Sequence, residues 1–341
     1  MPSPIVRKIA QIIEVSPRTV ERALNGELKD TRPTIVARNA RIKQLAREMG
    51  YRPNAAARAV ATGRFGCIAL VVMPEQELLP ARMLRRLCTG LHERLDSELK
   101  VTMLTDETFE RAEVNVPKVL AELSVDGLLV SPGTALHERA VDLVEANDLP
   151  VVWINVQGVH DCVYPDEIEI SQRVARDMLA AGCTRLAFAA LEQSPSKHFS
   201  RQNRWDGFAG VAAEAGVACR VESVAIPFVE QLPQADDPRL RHWLDVLARP
   251  DRPDGVLCYG VSAAGAVLQA AATLGLELGR DLRVASFCTN RPHAIMGPMQ
   301  VCEVPFAEMA DAAVAMMAAK LERGGHAESC AVRYHDYGFW G

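Results

Sequence analysis

The sequence lacks the features of a membrane-spanning protein, a secreted protein and a disulfide-stabilised protein. Its 341 residues contain no uninterrupted apolar stretch of the ~18 to 20 residues that a membrane-spanning helix needs. Gln11 and Glu14 interrupt the N-terminal segment, which therefore has no apolar core of the signal-peptide type. The nine cysteines form no Cys-x-x-Cys pair, and we expect them to be buried and reduced. We therefore expect a cytoplasmic protein with no membrane partner.

Patterns that accompany catalysis or metal binding are also missing. The sequence contains no phosphate-binding glycine loop, no Gly-x-Ser-x-Gly motif and no His/Cys/Asp cluster at metal-ligand spacing. The glycines are isolated and typical of turns. These absences predict a protein that is not an enzyme, with no catalytic residue, no cofactor and no metal. An α/β enzyme with an accessory N-terminal head is the alternative, and it would need a reactive cluster.

Charge is distributed unequally along the chain. The net charge is −5 overall, but residues 1–64 contain 13 Lys/Arg against 5 Asp/Glu, a net charge of +8. The remaining residues therefore carry −13. A basic head on an acidic body indicates a module that binds a polyanion such as nucleic acid. A solvated basic surface with no partner would give the same charge, so the motifs must decide.

The basic head has the pattern of three short helices. Ser3-Pro4 gives an N-cap followed by a proline at the first helical position, and Ser16-Pro17 repeats this signal. Two short helices separated by about three residues make a helix-turn-helix. A third helix is predicted from about residue 34 to 49. The residues predicted to face the core are Ile5, Ile9, Ile12, Ile13, Val20, Ala23, Leu24, Ile35, Ile42, Leu45 and Met49.

The second helix carries the candidate base-reading residues. In a helix-turn-helix, the N-terminal residues of this helix meet base edges in the major groove. Pro17, Arg18, Glu21 and Arg22 are its predicted exposed positions, and arginine can bond two guanine acceptors at once. Solvation of a helix face is the alternative for the two arginines. Their place on a basic head favours contact with bases or phosphates.

Two motifs give this head a family resemblance. The segment IAQIIEVSPRTVERALNG resembles the LacI/GalR (lactose-repressor) family pattern Val-Ser-x-x-Thr-Val-Ser-Arg-x-Leu-Asn, and GYRPNAAAR resembles that family's Tyr-x-Pro-Asn-x-x-Ala-Arg. The chain departs from the pattern at Glu14, which replaces a turn glycine, at Glu21, which replaces a serine, and in a longer loop, GELKDTRP. The resemblance and the helix pattern together predict DNA contacts from Ser16, Pro17, Arg18, Thr19, Glu21, Arg22, Asn25, Tyr51, Asn54, Ala57, Arg58 and Val60.

The alanine-rich segment after Pro53 matches the hinge helix of that family. The resemblance implies a helix that orders on operator DNA, pairs with its twin in a dimer and inserts Val60 into the minor groove. Asn54 can cap such a helix, and the alanines that follow are good helix formers. The segment is too short to be stable alone, because nucleation dominates below ~12 residues. A flexible linker is the alternative.

From Cys67 onward, short apolar runs alternate with helix-length segments. The runs CIALVVM, KVTMLT, GLLVS and PVVWIN precede a break in this rhythm near 156–164, and RLAFAAL, VESVAI, GVLCYG and RVASF follow it. Repeated βα units predict doubly wound parallel sheets. The resemblance implies the two-lobed fold of type I periplasmic binding proteins behind the all-α helix-turn-helix domain. It also implies three crossings between lobes, which return the helix near 305–323 to the first lobe.

The domain boundaries follow from these patterns. A helix-turn-helix DNA-binding domain is predicted at 1–52, and a hinge helix or linker at 53–64. An effector-binding and dimerisation domain is predicted at 65–341. Its lobe 1 is predicted at about 65–156 plus 289–322, and its lobe 2 at about 157–288 plus 323–341.

Ligands of doubly wound sheets bind at the carboxyl ends of the strands. Tyr259-Gly260 and Ser286-Phe287-Cys288 stand where many family members have Asn-Asp and Gly-Phe-Asp, so two aspartates that hold sugar hydroxyls in relatives are missing. An acid, a flatter metabolite or no ligand at all therefore stay open. The predicted effector-binding residues, with Asp166 and Arg204 taken from the resemblance, are Glu75, Asp106, Ser131, Asp166, Glu192, His198, Arg204, Tyr259 and Cys288.

Together, these features predict a homodimeric, sequence-specific DNA-binding transcriptional regulator, which we expect to be a repressor. Its predicted partners are double-stranded operator DNA and a small polar metabolite, such as a sugar or a sugar acid, held between the lobes. No leucine-heptad tail is present that would join dimers into tetramers. We expect the protein in the cytoplasm, on the bacterial nucleoid when bound to its operator. The missing aspartates motivate one alternative, a ligand-independent DNA-binding regulator with a degenerate cleft.

Overall fold

A computed structural model describes residues 3–24, 32–51, 63–72, 79–103, 124–132, 141, 149–193, 198–227, 237–289, 298–335 and 337–340. The chain divides into two compact units, Met1–Cys67 with Ser124–Asp126, and Ile68–Leu123 with Gly127–Gly341. Within the described ranges, no helix is both long enough and apolar enough to cross a membrane. The predicted boundaries at 52 and 64 border or fall in residues outside the described ranges and stay predictions.

The first unit contains the three predicted helices, α1 (Pro4–Ile13), α2 (Pro17–Leu24) and α3 (Pro33–Glu48). The Ser3 hydroxyl accepts a hydrogen bond from the Val6 backbone N–H at 3.2 Å, as expected of an N-cap. Ser16 does the same for α2, accepting from the Thr19 N–H at 3.2 Å. The Ser-Pro pairs therefore set both helix starts.

The core of the head differs in part from the predicted one. Ile12 is 51% exposed, so its predicted inward position is wrong, whereas Val6 and Ala10 are buried beside Ile9. Val6, Ile9, Ala10 and the half-buried Ile13 have the i, i+3, i+4, i+7 spacing of one helix face. Among the described residues of the head, the buried cluster consists of Val6, Ile9, Ala10, Val20, Ala23, Ile42, Leu45 and Ala46.

The turn between α1 and α2 is made without glycine. Glu14 adopts the left-handed conformation, with φ 56° and ψ 46°, and its backbone N–H bonds to the Ala10 carbonyl. Non-glycine residues rarely adopt this conformation, because Cβ crowds the backbone. The head therefore makes this turn with a left-handed glutamate, at the position where the resemblance led us to expect a glycine.

The rest of the chain forms two six-stranded sheets with helices packed on them. The first sheet has the order β11-β5-β4-β3-β1-β2 and the second has the order β12-β10-β9-β8-β6-β7. The elements are β1 (Cys67–Val72), α4 (Ala81–Leu95), β2 (Glu98–Met103), β3 (Gly127–Ser131), β4 (Val151–Ile154), β5 (Cys162–Pro165), α5 (Glu167–Ala180), β6 (Arg185–Gln193), α6 (Phe199–Glu214), β7 (Ala218–Pro227), α7 (Pro238–Ala248), β8 (Gly255–Cys258), α8 (Val261–Thr273), β9 (Arg283–Cys288), β10 (Met299–Glu303), α9 (Phe306–Arg323), β11 (Cys330–Val332) and β12 (Tyr337–Trp340).

The central strands are parallel and buried, as expected of a doubly wound sheet. In the first sheet, β3 pairs in parallel with β1 and with β4, so that Leu129 lies opposite both Leu70 and Val152. In the second sheet, β8 pairs in parallel with β6 and β9, and the edge strand β12 runs antiparallel to β10. Strands covered on both faces are near-continuous apolar runs, as β1, β3, β4, β8 and β9 are. The other predicted runs also form strands, although Val101 and Met103 of β2 are exposed.

The strand assignment corrects the predicted lobe boundaries at three places. β5 and β11 belong to the first sheet, although residues 162–165 and 330–332 were predicted in lobe 2. β10 belongs to the second sheet, although residues 299–303 were predicted in lobe 1. These strands have only three to five residues. Their place is therefore set by pairing with longer neighbours rather than by a strong local pattern.

Three segments carry the chain between the sheets: 165–167, 303–306 and 332–337. After the second of these segments, α9 packs against α4 and against β3, β4 and β5. The last core helix therefore lies with the first sheet, as expected.

The nine cysteines are all free thiols. Cys162, Cys183, Cys258, Cys288 and Cys302 are buried, but Cys88 is exposed, so the expectation of burial is wrong for Cys88. Burial raises the pKa of Cys183 and of Cys219 to about 11. Those two thiols are therefore protonated and unreactive at neutral pH.

Candidate functional site

Arg204 of α6 lies at the centre of a buried polar network. Its Nε donates to Glu167 Oε2 at 2.8 Å, and its Nη2 donates to Glu167 Oε1 at 2.7 Å. Its Nη1 donates to the Tyr259 backbone carbonyl at 2.7 Å. Arg204 is 7% exposed and Glu167 is 1% exposed. The arginine therefore forms a two-pronged ion pair with a carboxylate of its own chain.

Aromatic rings cover the guanidinium of Arg204. Its Cζ lies 3.7 Å from the centroid of the Phe287 ring and 4.7 Å from that of Tyr259. Such stacking favours the charged form when water is excluded. Burial by itself lowers the pKa of Arg204, but the facing Glu167 carboxylate raises it above the ordinary arginine value. The arginine is therefore permanently charged.

Tyr334 completes the network from the third crossing segment. Its hydroxyl donates to Glu167 Oε2 at 2.9 Å, and its ring meets Phe287 edge-on at 5.9 Å between centroids. Burial and the adjacent Glu167 raise the pKa of Tyr334 well above its ordinary value. Glu167 is the first residue of α5, directly after the first crossing segment. The network thus joins two of the three places where the chain passes between the sheets.

A glycine allows α5 and α6 to approach closely enough for this pairing. A Cβ at Gly207 would lie 2.5 Å from the Ile168 backbone oxygen, closer than any real contact. Gly207 follows Arg204 by three residues on α6, and Ile168 follows Glu167 on α5. The close helix contact and the ion pair therefore occupy neighbouring turns.

A second polar chain runs through His198. Its Nδ1 accepts from the Ser200 backbone N–H at 3.3 Å, which places the ring proton on Nε2, and Nε2 donates to the Asn155 carbonyl at 3.1 Å. The Ser200 hydroxyl bridges His198 Nδ1 at 2.7 Å and the Tyr259 hydroxyl at 2.9 Å. Burial lowers the pKa of His198 to about 4, so the ring is neutral at physiological pH. His198 thus caps α6 and ties it to the end of β4.

Asp166 and Tyr259 lie next to these networks at strand ends. Asp166 follows β5, is half-buried and caps α5 by accepting from the Glu169 N–H at 3.1 Å through Oδ1. Tyr259 follows β8 and is half-buried. Ser131 ends β3 and Cys288 ends β9, and both side chains are buried. The structure therefore brings Asp166, His198, Arg204 and Tyr259 together, whereas burial separates Ser131 and Cys288 from solvent.

The remaining predicted site residues cannot be placed. Glu192 lies in β6, but its side chain is outside the described part. Glu75, Asp106, Asn25, Asn54, Ala57, Arg58 and Val60 are outside the described residues.

Three contributors to this region were not predicted from the sequence: Glu167, Tyr334 and Arg82. Arg82 on α4 donates through Nη2 to the carbonyls of Thr289, at 2.6 Å, and Val304, at 2.9 Å, and it pairs with Glu303. It thereby links a helix of the first lobe to the ends of β9 and β10. The sequence held one signal for Glu167, because Asp166 and Glu167 place two carboxylates directly after a strand.

In the head, α2 presents the predicted DNA-reading residues in two environments. Ser16, Arg18 and Arg22 are exposed, while Pro17, Thr19 and Glu21 are half-buried. Tyr51 packs on the core of the head, and burial, followed by the nearby Glu21 carboxylate, raises its pKa. The exposed face of α2 therefore carries Arg18 and Arg22. Arg18 lies at the N-terminal end of the helix, which is the positive end of its dipole.

Comparison with known proteins agrees with this architecture. Residues 175–334 match a model described as a periplasmic binding protein-like domain. The HTH-type transcriptional regulator AglR of Rhizobium meliloti is 26% identical over 283 residues, covering 81% of this chain and 75% of that protein. The HTH-type transcriptional regulator DegA of Bacillus subtilis is also 26% identical, over 82% of this chain and 80% of its own length. These relatives are regulators, not enzymes.

Solved structures share the fold over nearly the full length. The lac repressor dimer bound to operator and the anti-inducer ONPF superposes with a TM-score of 0.74 at 16% identity, covering 98% of this chain and 97% of that one. A complex of the transcriptional regulator CelR with cellobiose has a TM-score of 0.61 at 19% identity, covering 99% of each chain. Both of these neighbours are described as complexes with a small molecule.

Proposed function

We propose that this chain is a LacI-family transcriptional regulator, as its similarity to HTH-type regulators and its fold support, and that it acts as a homodimeric repressor that binds operator DNA under the control of a small polar metabolite. The protein acts in the cytoplasm and on the nucleoid when bound to its operator, and it catalyses no reaction. The observation that carries this proposal is one chain holding both parts, a basic helix-turn-helix and a two-sheet domain with a polar network at its strand ends.

The DNA-binding part of the proposal rests on the N-terminal half of α2. Arg18 and Arg22 are exposed on a helix whose inner face, Val20 and Ala23, is buried in the head. In this geometry the arginines meet guanine edges or phosphates, while Ser16 and Thr19 approach the backbone. Asn25, Tyr51, Asn54, Ala57, Arg58 and Val60 extend the proposed contact surface.

The test is binding of the purified protein to DNA from upstream of its own gene, against random DNA, at physiological salt. We expect a preference of at least about 1,000-fold. The Arg18→Ala variant should lose much of that preference, whereas Arg41→Ala, which removes an exposed arginine from α3, should lower affinity without changing the preference. Equal binding of the wild-type protein to both DNAs would contradict the proposal.

The effector is proposed to bind between the lobes at the carboxyl ends of the strands. Asp166, His198 and Tyr259 supply acceptor and donor groups there, and Glu75, Asp106 and Glu192 are proposed to contribute further contacts. Ser131, Arg204 and Cys288 are buried in this structure and would complete the proposed set in another lobe arrangement. A ligand changes operator affinity only by binding one lobe arrangement better than another. A thermal-shift screen over neutral sugars, sugar acids and nucleosides tests this, because a bound ligand raises the melting temperature. No shift with any class would contradict the proposed effector site.

The homodimer is proposed from the hinge segment, where two copies would pair on DNA. Sedimentation should give a particle of twice the 37.2 kDa chain mass. A monomer at micromolar concentration in the presence of DNA would contradict this part of the proposal.

A further inference from the structure

The fork of Arg204 is already occupied by a carboxylate. Both Glu167 oxygens accept from the guanidinium, at 2.7 and 2.8 Å, and the third direction is used by the Tyr259 carbonyl at 2.7 Å. This is the arrangement in which an arginine would hold the carboxylate of a ligand. In this protein the chain itself supplies the acid.

The position of Glu167 is fixed from several sides. Tyr334 donates to the same oxygen as Arg204 Nε, at 2.9 Å. The backbone of Glu167 is fixed at the first turn of α5, which Asp166 caps. Gly207 allows α5 and α6 to approach so closely that a Cβ at this position would lie 2.5 Å from the Ile168 backbone oxygen. Glu167 is therefore pre-oriented for Arg204 and does not lose freedom on pairing.

Because Glu167 is already oriented towards Arg204, it is favoured over the carboxylate of a ligand for binding to this arginine. A ligand carboxylate must displace Glu167, which is bonded to Arg204 within the same molecule and so has a high effective concentration. The displaced Glu167 would then be a buried charge without its cation, which is a costly state. A neutral group meets no such competition, because it does not need the arginine's fork.

We infer that Glu167 is an internal ligand of Arg204 and that this pair makes the cleft reject effectors that offer a carboxylate to Arg204. The selectivity rests on the proposed effector site, whereas the internal pair can be tested without knowing the effector. Tyr334 supports this pair through its hydrogen bond to Glu167 Oε2, but the pair does not depend on it.

The test replaces the internal acid with an external one. The Glu167→Ala variant leaves Arg204 with an empty fork, and propionate then serves as a probe for that space. We expect sodium propionate at tens of millimolar to raise the melting temperature of this variant saturably, by about 2 °C or more above an equal concentration of sodium chloride. Wild type and the Glu167→Ala/Arg204→Met double variant should show no difference between the two salts.

A refolding assay and a matched control variant accompany the melting experiment. If Glu167→Ala does not stay soluble, its refolding yield from urea in propionate against chloride is measured instead, and propionate should raise the yield. Tyr334→Phe keeps both members of the pair, so it should behave as wild type towards propionate. A propionate effect in wild type that vanishes in Arg204→Met would overturn the inference. So would the absence of any propionate effect, on melting or on refolding, in Glu167→Ala.

The selectivity is tested separately with gluconate and glucose on the wild-type protein. No gluconate-specific shift beyond chloride is expected, and a shift that requires Arg204 would contradict the inference. Specific DNA binding is measured on the same samples. If the wild-type protein shows no preference for operator DNA, the proposed function is contradicted. The propionate result for the Arg204–Glu167 pair would still stand, so the two failures are distinguishable.

Discussion

Arg18 and Arg204 carry the same guanidinium in opposite surroundings. Arg18 is exposed on α2, at the N-terminal end of a helix in a head of net charge +8. Arg204 is 7% exposed, paired with Glu167 through two hydrogen bonds and covered by Phe287 and Tyr259. The first can pair with an anion that arrives from solution. The guanidinium of Arg204 is instead paired with Glu167, a fixed carboxylate of the same chain.

This difference separates two uses of charge in one regulator. An exposed arginine contributes little to folding, because water solvates it, and so it can contribute to binding. A buried arginine must keep its counter-ion, because removing one partner strands a charge in a low-dielectric site. The comparison therefore predicts opposite effects of mutation, large on stability in the second lobe and small on stability in the head.

The largest effect is expected from breaking the buried pair. Glu167→Gln should lower the free energy of unfolding by about 3–5 kcal/mol, because Arg204 stays charged without its counter-ion. Adding Arg204→Met should recover part of that loss. Urea denaturation of wild type, both single variants and the double variant gives the coupling energy.

A matched surface pair serves as the control for that experiment. Arg86 of α4 pairs with Asp311 of α9 at 2.7 Å, also through two hydrogen bonds, but both side chains are exposed. Arg86→Met should leave the urea midpoint close to that of wild type. An equal loss of unfolding free energy on breaking the exposed Arg86–Asp311 pair and the buried Arg204–Glu167 pair would contradict the proposed difference between exposed and buried arginines.

The pH dependence of stability comes next in size. The pKa of His198 is about 4 in the folded protein, below its ordinary 6.5, because the ring is buried. A lowered histidine pKa means that the unfolded chain binds the proton more readily, so this contribution is full above pH 6.5 and is lost as the pH falls towards 4. The loss attributable to His198 should be about 2–3 kcal/mol between pH 7 and pH 4.5.

His198→Asn isolates that contribution. Asparagine caps a helix well but does not titrate, so α6 keeps its N-terminal partner. The stability difference between wild type and His198→Asn, measured in urea at several pH values, should shift in favour of the variant as the pH falls. Acid groups such as Asp161 titrate in both proteins and cancel. Parallel stability curves would show that His198 is solvated rather than buried.

A smaller effect is expected at the helix contact that supports the buried pair. Gly207→Ala would place a Cβ against the Ile168 backbone oxygen, and overpacking of this kind costs about 1–3 kcal/mol. Gly210→Ala, one turn further along α6, meets nothing within 4 Å. It should stabilise the protein by up to about 1 kcal/mol, because alanine is the better helix former. The melting temperature should therefore fall for Gly207→Ala and rise for Gly210→Ala.

The sequence was informative where a pattern is local. The Ser-Pro pairs predicted two helix starts, and eight apolar runs predicted eight strands, because caps and buried strands depend on a few neighbouring residues. β5, with the sequence Cys-Val-Tyr-Pro, was missed because a four-residue strand is specified by its neighbours β4 and β11. Ile12 is large and apolar, but it lies beside the stripe formed by Val6, Ile9, Ala10 and Ile13 and is 51% exposed.

The candidate site shows where such reasoning stops. Arg204 and Asp166 were identified by resemblance, but the partner of Arg204 is Glu167, 37 residues away in sequence. That pairing exists only once α5 and α6 pack closely, and Tyr334 arrives from a crossing segment further along the chain. A list of polar residues at strand ends cannot distinguish an arginine that awaits a ligand from one that already has a carboxylate. Packing makes that distinction.

The smallest stability effect is expected at the exposed arginine. Arg18→Gln should change the free energy of unfolding by less than about 0.5 kcal/mol, because the side chain leaves one solvated surface for another. The same variant should lose preference for operator DNA, so stability and binding separate at this residue. Urea denaturation and DNA binding measured on one preparation check both halves. A stability loss comparable to that of Gly207→Ala would mean that Arg18 supports the fold of the head, and its proposed role in reading DNA would then need independent support.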